Sequence, residues 1–176
     1  GKTPGTIVAT ESINGVPAAG GSATATHENK NHFSVARLNG QWKRKLSSDS
    51  NMEWKFNVGG WDSHNQYQQT SSNIALLPSL SEDSRVKDRS ANVSGKYTNV
   101  MGGGHQWVSG SEVETVRRTQ DTVGSYLGAI GKSDFSASTL RYAMYSQDEW
   151  QLTPHWATHL GARYEGLTTE GNTSAG

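Results

Sequence analysis

The chain reads as an all-β protein: an antiparallel up-and-down meander of about six long strands, part of a transmembrane β-barrel. Three observations predict this. Apolar residues recur at every second position in stretch after stretch, which is the period of a strand. Only 32% of the 176 residues are hydrophobic and mean hydropathy is −0.70, too polar for a comfortable soluble core but not biased enough for disorder. A barrel wall resolves that conflict, because only alternate strand residues need be apolar. Finally, the connections between strands alternate short and long, as in a wall that crosses a membrane repeatedly.

Residues 1–31 are rich in Gly, Ala, Thr, Asn and Pro, include Val16-Pro17-Ala18-Ala19-Gly20-Gly21, and show no sustained period, so they read as an irregular loop-like segment. From His32 the pattern changes. Ala36, Leu38, Gly40 and Trp42 alternate with Arg37, Asn39, Gln41 and Lys43 until a turn at 47–51. Met52, Trp54, Phe56 and Val58 then alternate with Glu53, Lys55 and Asn57; pairing Leu46 with Met52 sets Trp42 opposite Phe56 and Lys45 opposite Glu53. A long polar connection follows at 62–83, interrupted by Ile74-Ala75-Leu76-Leu77-Pro78. The third strand runs from Arg85 to Tyr97 with Ala91, Val93, Gly95 and Tyr97 on one face, and 98–104 turns it. The fourth, from His105 to about Arg118, sets Trp107 and Val113 against Glu112 and Glu114, with Val108 interrupting the alternation.

After a second long connection at 121–138 comes the clearest hairpin. Leu140, Tyr142, Met144, Trp150 and Leu152 share one parity, and Arg141, Gln147, Glu149 and Gln151 the other. Thr153-Pro154-His155 breaks the pattern, and Trp156, Leu160, Ala162 and Tyr164 return on one face against His159, Arg163 and Glu165. That turn sets Leu152 opposite Trp156, Trp150 opposite Thr158 and Tyr145 opposite Arg163. The chain thus divides into a loop-like, extracellular segment at 1–31, three hairpins of partial barrel at 32–166, and a loop-like tail at 167–176.

In outer-membrane barrels the periplasmic turns are short and the extracellular loops long, so the turns at 47–51, 98–104 and 153–155 are expected on the periplasmic side. Trp42, Trp54, Trp107, Trp150 and Trp156 lie within a few residues of those turns and would form a girdle at one membrane interface. Asp148 is a misfit, since its parity places a carboxylate toward lipid; its place near the turn keeps the cost at about 0 to 1 kcal/mol, and a local bulge would remove it.

These residues carry a resemblance. Tyr145-Ser146-Gln147-Asp148-Glu149-Trp150-Gln151-Leu152-Thr153-Pro154, followed by Leu160-Gly161-Ala162-Arg163-Tyr164-Glu165, resembles a barrel hairpin of TonB-dependent outer-membrane receptors. His105-Gln106-Trp107-Val108-Ser109-Gly110-Ser111-Glu112 is similar to another strand start of that family, and Leu38-Asn39-Gly40-Gln41-Trp42 is compatible with it. The resemblance implies a barrel of roughly twenty-two strands around an N-terminal plug. It also implies location in the bacterial outer membrane, contact with TonB through the plug, and energy-coupled uptake of ferric siderophores, cobalamin or similar scarce ligands. The chain has room for about six strands and shows neither plug nor TonB-contacting segment. It is therefore expected to be a piece of a longer precursor, partnered by the bilayer, the remaining strands and the plug.

No catalytic residue, metal site or cofactor is indicated, and the chain is not expected to be an enzyme. It has no cysteine and equal numbers of acidic and basic residues, so neither a disulfide framework nor a nucleic-acid partner is suggested. The six histidines lack HExxH spacing, and His155 and His159 read as solvated. Asp62-Ser63-His64 holds the residue types of a hydrolase triad, but strand neighbours rarely converge. Gly102-Gly103-Gly104 is a turn without a phosphate-loop lysine. Glu112 and Glu114 read as wall lining.

Instead, Arg37, Asn39, Gln41, Lys43, Lys55, Asn57, Arg141, Gln147, Glu149 and Arg163 are expected to line the lumen, holding a plug or simply hydrated. Trp61, Tyr67, Arg117, Arg118 and Tyr126, on the long-loop side, are the candidate ligand-binding residues, because aromatics and cations suit an anionic, aryl-bearing iron chelate. Six strands alone would leave two unpaired edges and an uncovered apolar face, so a stable soluble monomer is not expected. Two alternatives remain: a soluble antiparallel β module binding carbohydrate or another surface ligand through tryptophans hidden between two sheets, and a small complete barrel, which needs at least eight strands.

Overall fold

In the computed structural model, which describes residues 1–13 and 16–176, the chain forms one antiparallel sheet of seven strands joined in sequence order. The strands are β1 (Lys2–Ile13), β2 (Val16–Lys45), β3 (Ser50–Ser71), β4 (Leu80–Met101), β5 (His105–Tyr126), β6 (Ala129–Thr153) and β7 (Trp156–Ala175). A 3-10 turn at Gly102–Gly104 joins β4 to β5. The up-and-down order is as expected, but the strands are longer and one more in number. The N-terminal stretch expected as loop forms β1 and the first half of β2, paired from Lys2↔Lys30 to Ile13↔Val16; residues 14 and 15 lie outside the described residues. The connection expected at 62–83 shrinks to 72–79, and that at 121–138 to the two residues Leu127 and Gly128. The tail expected at 167–176 is the end of β7, paired as far as Ser133↔Ala175. At the other end of the sheet the turns tighten from the expected 47–51, 98–104 and 153–155 to 46–49, 102–104 and 154–155.

Directly opposed residues of an antiparallel pair share a face, so the register carries two faces across the sheet. The outer face contains the row Trp42↔Trp54↔Gly95↔Ser111↔Met144↔Tyr164, and the inner face Lys43↔Glu53↔Lys96↔Gly110↔Tyr145↔Arg163. The buried apolar residues Ala23, Ala25, Val108 and Ala143 all belong to the inner face, where side chains crowd together. Leu38, Val58, Val93, Met144 and Leu160 stand exposed on the outer one. The interruption at Val108 is thus an apolar side chain on the inner face. Among the described residues no second sheet covers the outer face.

The outer face is apolar over only part of its height. On β3 it runs from Met52 to Gly60, roughly 30 Å along the strand. At a tilt near 40° that is about 23 Å of height, close to the apolar band of about 25 Å that a barrel presents to lipid. Beyond it the same face turns mainly polar on β2 to β7: Ser34 and His32 on β2, Asp62 and His64 on β3, Arg89 and Lys87 on β4, Arg117 on β5, Ser138 on β6 and Glu170 on β7. Above the band both faces meet water, so nothing enforces alternation of polarity, while the backbone ladder continues. This is why residues 1–31, 62–71, 121–138 and 167–176 look like loop in sequence and are strand in space. In that upper half Gln66 donates to Asp83 at 2.8 Å and His64 Nε2 lies 3.0 Å away. These two neighbours, Gln66 first, hold the Asp83 carboxyl below its ordinary range. Lys2 (3.2 Å) and Lys30 (3.7 Å) flank Glu28, and the hydrogen bond from Lys2 leads in lowering its pKa.

The turns set the register. Between β2 and β3, Leu46 N donates to Ser50 O at 2.9 Å, and Ser47 Oγ accepts from the amides of Asp49 and Ser50. This tighter turn places Trp42 opposite Trp54 and Lys43 opposite Glu53, two residues from the expected pairing, and an even slip leaves every side chain on its face. Between β5 and β6, Leu127 (φ 51°) and Gly128 (φ 82°) both take positive φ, the requirement of a two-residue type I′ hairpin. Leucine is an unusual occupant, so this turn carried no sequence signal. In the last hairpin Trp150↔Thr158 and Tyr145↔Arg163 pair as expected, but an irregularity between Gln151 and Thr153 puts Thr153, not Leu152, opposite Trp156.

Glycines on the outer face receive neighbouring rings: Phe56 lies over Gly40, Trp54 over Gly95 and Tyr142 over Gly166, filling the gap that a missing side chain leaves. Asp148 does face outward, and its charge has a partner. His105 Nδ1 lies 2.7 Å from Asp148 Oδ2, the His105 ring stacks on Trp150 at 4.8 Å, and Trp150 Nε1 donates to Gly103 O at 3.2 Å.

Gly40→Val should lower the unfolding free energy of the protein in detergent by about 1–3 kcal/mol although it adds apolar surface, because Phe56 occupies the space. Gly131→Ala, with open space around its Cβ, should change little, and equal costs in urea titration would refute the ring-over-glycine account. A carboxyl whose pKa is lowered on folding stabilises fully above its unfolded pKa and loses that contribution as pH falls through the folded one. Asp83→Asn should therefore flatten the acid limb of a stability–pH curve; an unaltered limb would show that the Gln66–Asp83–His64 cluster contributes nothing.

Candidate functional site on the inner face

The inner face divides at the height where the outer face turns polar. Its lower part is a charged network. Arg37, Asn39, Gln41, Lys43, Lys55, Asn57, Arg141, Gln147, Glu149 and Arg163 all stand on it by register. Glu53 lies 3.2 Å from Lys43 and 3.0 Å from Lys55 and accepts from Gln41 at 2.6 Å. Arg141 of β6 bridges Glu112 (3.2 Å) and Glu114 (2.9 Å) of β5, and Asn92 donates to Glu112 at 3.0 Å. Arg163 of β7 reaches Glu112 at 3.9 Å, pairs with Glu165, and lies over the Tyr145 ring at 5.9 Å. Gln106 and Gln147 donate to Glu149. The sequence places these residues on one face; which carboxylate meets which guanidinium depends on register, and register depends on turns whose length the sequence leaves open.

Above this network is an aromatic and cationic surface. Trp61 of β3 packs against Phe33 of β2 with ring centroids 5.6 Å apart, and the Arg118 guanidinium lies 5.6 Å from the Trp61 ring. Trp61, Asp88 and Arg118 form one cross-strand row. Higher on the same face Tyr67 stacks on His27 at 5.9 Å and donates to Gln69 at 2.9 Å, and Gln69 in turn holds the carbonyl of Pro78. Trp61 and Tyr67 are separated by roughly 20 Å along β3. Of the five candidate ligand residues the structure therefore joins Trp61 to Arg118 and sets Tyr67 higher on their face. Arg117 is on the outer face, directly opposite Arg89, because adjacent strand residues point to opposite sides. Tyr126 stands at the far end of β5, beside the Leu127-Gly128 turn and away from the cluster. Phe33 was missed, although it shares parity with Arg37 and Asn39 and was thus an aromatic on a polar face.

The other chemical candidates do not assemble. Asp62 and His64 point outward and Ser63 inward, so they form no triad. Among the described residues no group of three or more His, Asp or Glu side chains could hold a metal ion. What the upper face offers is flat π surface beside a fixed positive charge, on a wall with many hydrogen-bonding groups.

The family model described as TonB dependent receptor-like, beta-barrel matches residues 3–176. No curated protein matches the chain. Among solved structures it is similar to the ferric yersiniabactin uptake receptor FyuA from Yersinia pestis, at 9% identity and a TM-score of 0.42, over 98% of this chain and 37% of that one. It is also similar to BauA, the ferric preacinetobactin receptor from Acinetobacter baumannii, at 10% identity and a TM-score of 0.35, over 87% of this chain and 27% of that one. The chain thus spans well under half the length of these receptors. With residues 3–176 matched, this chain belongs to the TonB-dependent receptor-like β-barrel family, and its seven described strands form part of an outer-membrane barrel.

Proposed function

We propose that this seven-stranded wall belongs to a receptor for energy-coupled uptake of anionic, aryl-bearing ferric chelates of the siderophore type, and that its upper inner face makes contact with them. The observation that carries this reading is the Phe33–Trp61–Arg118 cluster. Stacked rings accept aryl groups, and a guanidinium beside them offers charge and fork-shaped hydrogen bonding to a carboxylate or phenolate. The tall polar end of the sheet is extracellular and the tryptophan-bearing turns periplasmic, since strands overrun the apolar band at one end only. Lower on the wall, the Arg141 and Arg163 networks with Glu112 and Glu114 serve to hold a plug, through which TonB acts. The wall is passive in chemistry: it binds and positions, and makes or breaks no bond. The alternative of a soluble carbohydrate-binding module fits less well, because Trp42, Trp54, Trp107, Trp150 and Trp156 are all exposed at the turn end of a single sheet.

In the intact receptor, Trp61→Ala and Arg118→Gln should each weaken binding of a ferric catecholate or phenolate chelate by about threefold to thirtyfold, with Arg117→Gln unchanged as control. Undiminished affinity in both variants would sink the reading. A hydroxamate chelate bound as tightly as the aryl ones would remove the aryl requirement.

A further inference from the structure

The outer face at the top of the apolar band carries an arrangement that the wall itself does not explain. Arg89 of β4 and Arg117 of β5 stand directly opposite each other, one row above the pair Ala91↔Thr115, and Lys87 follows opposite Thr119. Like charges placed directly across an antiparallel pair destabilise it. Arg89 is anchored: Nη2 donates to both carboxylate oxygens of Asp62, at 2.9 and 2.8 Å, and Nη1 to the carbonyls of Trp61 and Asp88. That guanidinium is therefore held in place with Asp62 already committed to it. Arg117 and Lys87 make no ion pair among the described residues, although Asp62 lies opposite Lys87 in register, and Asp121 on the same face lies opposite Arg85. Two cations without partners beside a held arginine mark a place where an anion would relieve the repulsion.

Its height matters as much as its charge. The row lies where the outer face leaves hydrocarbon, the level of lipid headgroups. On the same side, roughly 13 Å further along β3 than the Lys87 row and about 20 Å beyond the Arg89 row, a groove of about 500 Å³ is lined by Glu28, Gln66, Gln68, Ser81, Asp83 and Ser125, together with Lys30, Val123 and Ile130. Amides, hydroxyls and carboxylates of this kind suit sugar hydroxyls. We propose that this strip docks a phosphorylated glycolipid of the outer leaflet: Arg117, Lys87 and Arg89 take its phosphate, and the groove above takes its sugar. The inference rests on the tall end of the sheet being extracellular.

The intact receptor, purified in non-ionic detergent, tests this with three probes: lipid A carrying its phosphates, the same lipid dephosphorylated, and inorganic phosphate. Phosphorylated lipid A should raise the unfolding temperature, and the Lys87→Gln/Arg117→Gln double variant should bind it about tenfold or more weakly, while Arg117→Lys retains binding. In lipid-free detergent Arg117→Gln should be at least as stable as the parent, because it removes the like-charge pair; a residue needed only for the fold would show a loss there. Wild-type affinity in the double variant, or equal binding of dephosphorylated lipid, overturns the proposal, and saturation by inorganic phosphate alone reassigns the site to a free anion and overturns the lipid. Orientation is read separately from Leu127→Cys, labelled on intact cells by a membrane-impermeant maleimide. Labelling without lipid binding rejects the phosphate site alone, and no labelling rejects the orientation.

Discussion

A backbone that crosses hydrocarbon must find all its hydrogen bonds within the protein, since lipid offers none. That requirement shapes this chain more than any side chain does. It dictates an antiparallel ladder in which each strand is paired with its sequence neighbour, and it continues unbroken past the point where the side chains still meet lipid. It also leaves two obligations. Among the described residues one edge, formed by β1 and by the part of β2 below Asn31, and the opposite edge, formed by β7, have no partner strand. Seven described strands fall short of the eight that the smallest bacterial barrels use, and in a membrane such edges need partner strands.

Within the apolar band the ladder could be read from the sequence, because lipid on one side and polar surroundings on the other impose a period of two. Leu38, Phe56, Val93 and Met144 each fall on the expected face. Above the band that contrast disappears. His32, His64, Asp83 and Thr119 on the outer face differ little in polarity from Asn31, Asn65, Glu82 and Gln120 on the inner one, so strand and loop look alike in composition. The turn at Leu127-Gly128 was hidden for a second reason: its geometry favours Asn-Gly or Asp-Gly, and the chain uses leucine there.

The site was legible to a similar extent. Chemistry picked out Trp61 and Arg118, which do meet, but it also grouped Arg117 with Arg118, and one step along a strand separates the two sides of the wall. Phe33 required a parity argument, and His27 required β2 to extend above the band. Asp148 shows the opposite case. Its outward placement was correct from parity, while its partner His105, 43 residues away in sequence, followed only from the register of β5 on β6.

The overrun of the strands beyond the apolar band has a consequence for how such a wall can change. Below, each outward position is constrained by lipid, and Phe56, Trp54 and Tyr142 also by the glycines they cover. Above, lipid no longer sets the polarity of either side, and what holds a residue is its own polar partners, as Asp83 is held by Gln66 and His64. Substitutions at Phe33, Trp61, Tyr67 or Arg118 therefore reshape the upper surface without disturbing insertion. The tall rim is a region where new specificities can be tried while the membrane-spanning half stays as it is.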